Sequence, residues 1–358
     1  MKKFLKILGL VLCVVLLAVI GLFLWLTVTE YRPQAEETVA VEGAGQPTAF
    51  SGDTVRVLSW NLGYCALGEE SDFFMDGGSS VRPDSRSVIE KNLSGIQSIL
   101  DTVDADFYFL QEVDTDSKRC YGIDEKTALL EHSGCAGAYA LNYSCSYVPY
   151  PLPTIGKVHS GLLTLSKTRI SQAQRISLPC PFSWPVSMAN LKRCLLVSRV
   201  PLEGTEQELV LVNLHLEAYD DGAGKAAQTA QLLDFLQAEY EKGNYVIAGG
   251  DFNQTFPDTQ SAYPNTHAEL WQPNALESES LQPGWQYAYD DRTPTCRLLN
   301  QPYDPEDTEN TQYYVIDGYI LSPNVELEQV KTIDGCFAYS DHNPVYLQLR
   351  LVKGETAS

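Results

Sequence analysis

The sequence has little positive charge for its length. Its 358 residues include 25 Lys and Arg against 46 Asp and Glu, which gives a formal net charge of −21. Proteins that grip nucleic acid do so largely by neutralising phosphates with Lys and Arg, so this balance disfavours nucleic acid as a partner. It does not exclude a nuclease, because a bound divalent cation can invert the local field of an acidic cleft.

Motifs that would fix a reaction class are also missing. The absence of G-x-S-x-G argues against an acyl-transfer triad, and the absence of G-x-x-x-x-G-K-[ST] excludes nucleotide hydrolysis of the P-loop type. No pair of C-x-x-C motifs suggests a zinc site. Nine Cys are present, eight of them outside the N-terminal apolar run. Their pairing stays open: Cys180 and Cys194 could join neighbouring strands, or the thiols could be isolated and buried.

A long uncharged run, residues 7–28, follows Lys2, Lys3 and Lys6. Its length predicts a transmembrane helix within a signal anchor at residues 1–30. A cleaved signal peptide usually has a shorter apolar region and a small-residue cleavage site, so an uncleaved anchor is favoured and cleavage is the alternative. Lysines before the run predict a single-pass protein of the cell membrane with an extracytoplasmic body, or a secreted protein if the segment is cleaved.

The rest of the chain divides by composition. Residues 31–52 are polar, contain Pro and Gly and show no periodicity, which predicts a flexible linker. Over residues 53–352, apolar segments typical of buried strands are mixed with two helical patterns, at 87–103 and 224–243. This mixture indicates α/β layers in one catalytic domain, followed by a tail at residues 353–358.

Unusual polar residues stand at the ends of the predicted apolar strands or directly beside them. Apolar strands that repeatedly deliver carboxylates, amides and imidazoles predict one convergent site at a sheet edge. The residues in this set are Asn61, Glu112, Asn213, His215, Asp251, Asn253, Asp317, Asp341 and His342.

The residue types in this set restrict the chemistry. Carboxylate and amide oxygens are hard ligands, which suit Mg²⁺, or Mn²⁺ in its place, and suit zinc poorly. A hard cation together with acid and base groups fits attack by water on a phosphate ester. The sequence therefore predicts a metal-dependent phosphoester hydrolase with a phosphate-ester substrate.

The motifs W-N, Q-E, N-L-H, G-D-F-N, I-D and S-D-H, in this order, resemble those of the endonuclease/exonuclease/phosphatase superfamily, the DNase I-like metal-dependent phosphoesterases. The resemblance covers about residues 54 to 351 and suits a membrane-anchored member of bacterial type. It implies an α/β fold: a four-layer α/β sandwich with two central mixed β-sheets and the site at their shared edge, here preceded by a single N-terminal transmembrane helix.

The resemblance also implies roles in holding the metal and the phosphate. Glu112 would be the principal metal ligand, helped by Asn61 and by Asp341. Asn61 and Asn253 would bind the scissile phosphate, and Asn213 would stand at the same phosphate site and brace His215.

The remaining implied roles are catalytic. Asp251 would orient or deprotonate the attacking water, and His215 would act as an acid or a phosphate binder. His342 would contact the phosphate, with Asp317 fixing its tautomer. In many members an aromatic residue follows the aspartate directly; Gly318 stands there in this sequence, which predicts a looser geometry between Asp317 and His342.

Three functions fit the sequence. The first is a hydrolase of a phospholipid headgroup or a small phosphate ester, with the membrane engaged through the N-terminal helix. The second is an extracellular DNase I-like nuclease, which the net charge disfavours. The third is a non-catalytic binding module on the same scaffold. The sequence does not specify an oligomeric state.

Overall fold

The computed structural model describes residues 1–43, 48–220, 222–307 and 309–352. The predicted tail, residues 353–358, lies outside the described residues. The helices in these ranges are α1 (Lys2–Val28), α2 (Arg86–Thr102), α3 (Glu125–Ser133) and α4 (Ala223–Glu241).

Strands make up most of the remaining regular structure. The first nine are β1 (Glu36–Val39), β2 (Val41–Gly43), β3 (Thr54–Asn61), β4 (Phe107–Asp114), β5 (Ala136–Val148), β6 (Gly156–Ser166), β7 (Gln172–Ser177), β8 (Cys194–Pro201) and β9 (Glu208–His215). They are followed by β10 (Tyr245–Asp251), β11 (Gln254–Thr255), β12 (Asn274–Ala275), β13 (Gln286–Ala288), β14 (Cys296–Arg297), β15 (Tyr313–Tyr314), β16 (Asp317–Leu321), β17 (Val325–Thr332) and β18 (Val345–Leu351).

Two seven-stranded mixed sheets form the centre of the domain. Sheet I has the strand order β17-β18-β3-β4-β6-β5-β2, and sheet II has the order β1-β7-β8-β9-β10-β16-β13. One apolar cluster lies between the sheets, with Phe107 and Phe109 from sheet I against Leu211 and Ile247 from sheet II. Helices α2 and α3 cover the outer face of sheet I, and α4 covers that of sheet II. The four-layer α/β sandwich is therefore confirmed.

The strand directions bring distant segments to one edge of the sandwich. In sheet I, β3 runs parallel to β4 and antiparallel to β18. In sheet II, β9 runs parallel to β10, and β16 runs antiparallel to it. The carboxyl ends of β3, β4, β9 and β10 therefore lie at the same edge as the starts of β16 and β18. This topology explains why polar residues at those ends converge.

The described residues of the predicted linker 31–52, which are 31–43 and 48–52, contain two short strands and so differ from the flexible segment that the composition predicts. Strand β1 pairs antiparallel with β7 at the edge of sheet II, and β2 pairs with β5 at the edge of sheet I. Phe50 is buried in the cluster between the sheets. The short T-V-A-V run at residues 38–41 contains β-branched residues, which favour strands. It forms strands here because the edges of the two sheets offer unpaired backbone N–H and C=O groups as hydrogen-bond partners.

Helix α1 is long and apolar enough to cross a membrane, with a mean hydropathy of 3.3, and signal sequences meet the same criterion. Its last turns contact the domain, where Leu22 and Leu26 pack against Tyr143 and Met188. All nine cysteines lie among the described residues and are free. Cys180 and Cys194 are therefore not joined, and the alternative of isolated buried thiols holds for Cys194 but not for the exposed Cys180.

Gly250, directly before Asp251, is expected to be intolerant of any side chain. Its φ is +148°, and a Cβ there would lie 1.9 Å from the carbonyl oxygen of Leu214. Because backbone must move to relieve that contact, Gly250→Ala should lower the free energy of unfolding by about 2–4 kcal/mol. Chemical denaturation measures the change. Gly335→Ala is the control, since the nearest atom to its Cβ would be 3.4 Å away; an equal loss in both variants would contradict the explanation.

Candidate active site

Asp251 lies at the centre of the site. The register of sheet II places it opposite His215 on β9 and opposite Asp317 on β16. Its Oδ2 lies 3.4 Å from Nε2 of His215 and 3.8 Å from Nε2 of His342. Burial and the charge of Asp317 raise the pKa of Asp251 to about 7. A carboxyl that changes charge near neutrality and lies among imidazoles is suited to proton transfer.

His342 and Asp317 form a tight pair. Nδ1 of His342 donates to Oδ2 of Asp317 at 2.8 Å, and both side chains are buried. The looser geometry predicted from Gly318 is therefore wrong. A Cβ at Gly318 would lie 2.6 Å from the ring of Phe256, so glycine is the residue that lets Phe256 pack here.

The two histidines have opposite tendencies to carry charge. Burial lowers the pKa of His215 well below its usual value, and Arg193 and His342 add to the effect. Burial acts in the same direction on His342, but Asp317 more than reverses it and the pKa of His342 lies well above its usual value. The surroundings therefore favour the neutral form of His215 and the protonated form of His342.

Asn61 links the two sheets at the site. Its Nδ2 donates to Oδ2 of Asp251 at 3.0 Å, and its Oδ1 accepts from the backbone N–H of Gly63 at 3.0 Å. The hydroxyl of Ser340 donates to the carbonyl of Asn61 at 2.7 Å. These bonds fix Asn61 beside the carboxylate, where its oxygen keeps one lone pair for a further partner.

Glu112 reaches the site because β4 is irregular there. Alternation along β4 turns Phe109 toward the space between the sheets and Leu110 toward the outer layer. The register between β4 and β6 then breaks between Leu110 and Val113, and Glu112 has a φ of +53°. Such strained backbone is typical of functional positions. Oε1 of Glu112 lies 3.9 Å from Nε2 of His215.

The carboxylates of the site fit a hard cation. One cavity of about 440 Å³ is lined by four carboxylates, those of Asp76, Glu112, Asp251 and Asp341. The pKa of Asp341 is raised to about 7, chiefly by burial and also by Glu112 and Asp76, against the opposing charges of His342 and Arg297. Because the carboxylates repel one another in a buried space, a divalent cation with oxygen ligands would relieve the repulsion.

One group of side chains is close enough to share an ion. The candidate ligand atoms of Asp251, Asp317 and His342 lie within 4.8 Å of one another. Hydrogen bonding within the group limits its ligand atoms. The Nδ1 atom of His342 is already bonded to Asp317, which leaves Nε2 as the ring nitrogen that faces the cavity. The site therefore has two sets of candidate ligands: this group, and the carboxylates of Glu112 and Asp341 that line the cavity.

Asn253 and Asn213 differ in where they lie. Asn253 lines the cavity; its backbone N–H donates to Oδ1 of Asp251 at 2.8 Å, and its side-chain amide donates to the carbonyl of Leu216 at 2.9 Å. Asn213 is fully buried between the sheets, where it accepts from Gln111 at 2.8 Å and donates to the carbonyl of Leu163 at 3.1 Å. Asn213 therefore lies below the cavity and joins the two sheets, which differs from the phosphate-binding role predicted from its motif.

Further polar residues line the cavity that were not predicted for the site. Asp76 accepts from the hydroxyl of Tyr219 at 3.1 Å and is buried. Arg193 lies 3.6 Å from Glu217 and donates to the carbonyl of His215 at 3.4 Å. Arg193 stands directly before the apolar strand β8, where a solvated residue is the ordinary expectation, but its side chain is buried.

Solved structures share this fold. An endonuclease/exonuclease/phosphatase from Beutenbergia cavernae is 17% identical, with 86% of this chain and 74% of that chain covered and a TM-score of 0.58. A functionally unknown conserved protein from Enterococcus faecalis is 14% identical, with 83% and 100% covered and a TM-score of 0.53. ANGEL2, described as a 2′,3′-cyclic phosphatase and solved with adenosine-2′,3′-vanadate, is 15% identical, with 88% and 99% covered and a TM-score of 0.53.

No curated protein matches the chain. The resemblance seen in the sequence motifs is confirmed at the level of the family. The model of the Endonuclease/Exonuclease/phosphatase family matches residues 58–342, which include all nine residues predicted for the site. This chain belongs to the Endonuclease/Exonuclease/phosphatase family.

Proposed function

We propose that this protein is a Mg²⁺-dependent hydrolase of phosphate esters, in which water attacks phosphorus. Members of its family are generally phosphoester hydrolases. The observation that carries the proposal is the meeting of Glu112, Asp251, Asp341 and two imidazoles in one cavity. That combination of oxygen ligands, an acid–base carboxyl and a cationic donor suits displacement at a phosphate.

Glu112 and Asp341 would hold the cation, with the oxygen of Asn61 as a further ligand. Their donor atoms are oxygens, which Mg²⁺ prefers and Mn²⁺ accepts. When bound, the cation supplies positive charge that offsets the charge on the phosphoryl oxygens. The binding of substrate to an acidic body of net charge −21 depends on that local reversal of the field.

Asp251 would accept the proton of the attacking water. Asn61 and the backbone N–H of Asn253 hold one oxygen each of its carboxylate, so the group has a fixed orientation. His342, kept protonated by Asp317, would donate from Nε2 to a phosphoryl oxygen. His215, in its neutral form, would complete the hydrogen bonds to the phosphate. The indole N–H of Trp60 donates to the backbone carbonyl of His342 at 2.8 Å and so holds that residue in place.

Helix α1 supports a proposal for the cellular placement. We infer that residues 1–30 anchor the chain in the cell membrane and that the catalytic domain, residues 53–352, lies outside the cytoplasm. The three lysines before the apolar run support this orientation.

Turnover of bis-p-nitrophenyl phosphate by the full chain tests the function. We expect p-nitrophenol release with Mg²⁺ or Mn²⁺, and a loss of at least about 100-fold after EDTA treatment that added Mg²⁺ restores. Plasmid DNA and p-nitrophenyl phosphate are assayed alongside. Rapid nicking of DNA with little cleavage of other esters would favour the nuclease. No cleavage of any ester, with no change of melting temperature on Mg²⁺ addition, would favour a non-catalytic binding module.

A further inference from the structure

The catalytic cavity continues from its polar floor into an apolar wall. We call this surface the tail wall; its residues are Phe73, Phe74, Val148, Tyr150, Ile155 and Leu191. Phe73 and Phe74 lie edge to face with ring centroids 4.7 Å apart, and Phe74 meets Tyr150 in the same manner at 5.9 Å. The three rings form a continuous apolar path to the mouth, where Tyr150 is 68% exposed.

The tail wall shares residues with the surface on which α1 ends. Val148, Ile155 and Leu191 belong to the apolar cluster that packs against Leu22 and Leu26 of the helix. The same apolar residues therefore line the cavity and contact the C-terminal end of α1. A helix that holds the protein in a bilayer would bring the mouth of the cavity to the bilayer surface.

Exposed apolar side chains mark the same region. Leu152 is 87% exposed, Trp184 is 60% exposed and Val186 is 54% exposed. Trp184 is tied to α1, because its ring lies edge to face with Phe23 and its indole N–H donates to Oγ1 of Thr27 at 3.1 Å. Large apolar side chains exposed together next to an apolar helix, with a Trp among them, are typical of a membrane interface.

We propose that the substrate is a lipid phosphate ester drawn from the bilayer that holds α1, with its phosphate on the floor of the cavity and its hydrocarbon chain along the tail wall. This inference rests on the proposed hydrolase function and on α1 being an anchor. The net charge of −21 opposes approach to an anionic surface, so a zwitterionic lipid is the expected class.

The test compares two soluble esters with the same leaving group. The full chain is reconstituted in phosphatidylcholine vesicles with Mg²⁺ and is given methyl or hexyl p-nitrophenyl phosphate. We expect kcat/KM to be at least about tenfold higher for the hexyl ester, because each methylene buried on the tail wall adds to binding. Phe74→Ser and Tyr150→Ser should each reduce this hexyl-to-methyl ratio at least about threefold. In the same vesicles, both variants should also release less water-soluble phosphorus from phosphatidylcholine than the wild type does.

Val352→Ser is the matched control, since Val352 is 44% exposed and belongs neither to the tail wall nor to the cavity lining. Partition of the hexyl ester into the vesicles is the same for every variant, so only differences between variants count. Equal hexyl-to-methyl ratios in the wild type and both wall variants, with both esters cleaved, would overturn this inference and leave the proposed function intact. Faster cleavage of DNA than of the hexyl ester would also overturn it. Failure to cleave any ester would overturn the proposed function itself.

Discussion

Replacing Asp251 by Asn should lower kcat on bis-p-nitrophenyl phosphate by roughly 1,000-fold, within the range expected for a lost general base. The substitution keeps the size of the side chain and an oxygen for the bond from Asn61, and it removes the group that can take a proton from water. The pKa of Asp251 is raised to about 7 by burial and by Asp317, so a neutral amide relieves an unfavourable buried charge. The amide nitrogen would, however, face the backbone N–H of Asn253, which now bonds the second oxygen. Because these effects oppose each other, the melting temperature should change little.

Asp291→Asn is the control for this prediction. Asp291 is an exposed carboxylate that does not line the cavity, and its replacement should leave kcat unchanged. Steady-state kinetics on both variants, with circular dichroism to check the fold, make the comparison. A folded Asp251→Asn variant with near wild-type kcat would show that another group accepts the proton.

Glu112→Gln should abolish the Mg²⁺ stimulation of turnover, with a loss of about 100-fold to 1,000-fold at a Mg²⁺ concentration that saturates the wild type. The amide keeps the shape of the side chain but lacks the charge that holds a hard cation. The strained backbone at Glu112 is set by the register break in β4 and not by the carboxylate, so the fold should persist. Calorimetric titration with Mg²⁺ should show weaker binding.

The matched variant for Glu112 is Glu131→Gln. Glu131 is an exposed residue of α3 on the outer layer, and its replacement should change neither turnover nor the Mg²⁺ dependence. If Glu112→Gln kept the wild-type Mg²⁺ affinity, the cation would have to lie elsewhere, and the pair of Asp251 and Asp317 would be the next site to test.

The strand ends were readable in the sequence because apolar runs of strand length end there in polar residues. Asn61, His215 and Asp251 each close an apolar strand, and Asp317 opens one. Side chains alternate along a strand, so the residues that continue the inward-facing series of each strand emerge at the sandwich edge. For these residues, pattern and order along the chain were sufficient to predict a common site.

The sequence did not indicate how deeply each polar side chain lies between the two sheets. Asn213 and His215 lie on the same face of β9, two residues apart, yet Asn213 is enclosed between the sheets while His215 reaches the cavity. The difference is about one strand repeat, or roughly 7 Å, and it depends on where sheet I ends opposite β9. The same limit applies to Asp76 and Arg193, because the neighbouring residues in the sequence do not specify how deeply either side chain is buried.

The sequence by itself determined the family, the α/β class, the apolar N-terminal helix and the residue types of the site, because these depend on composition, periodicity and motif order. Only the tertiary structure decided which carboxylates share a cavity, that β1 and β2 complete the sheet edges, and that the apolar wall of the cavity adjoins the end of α1. Those features arise from contacts between segments far apart in the chain, and no local pattern encodes the distance between two such segments.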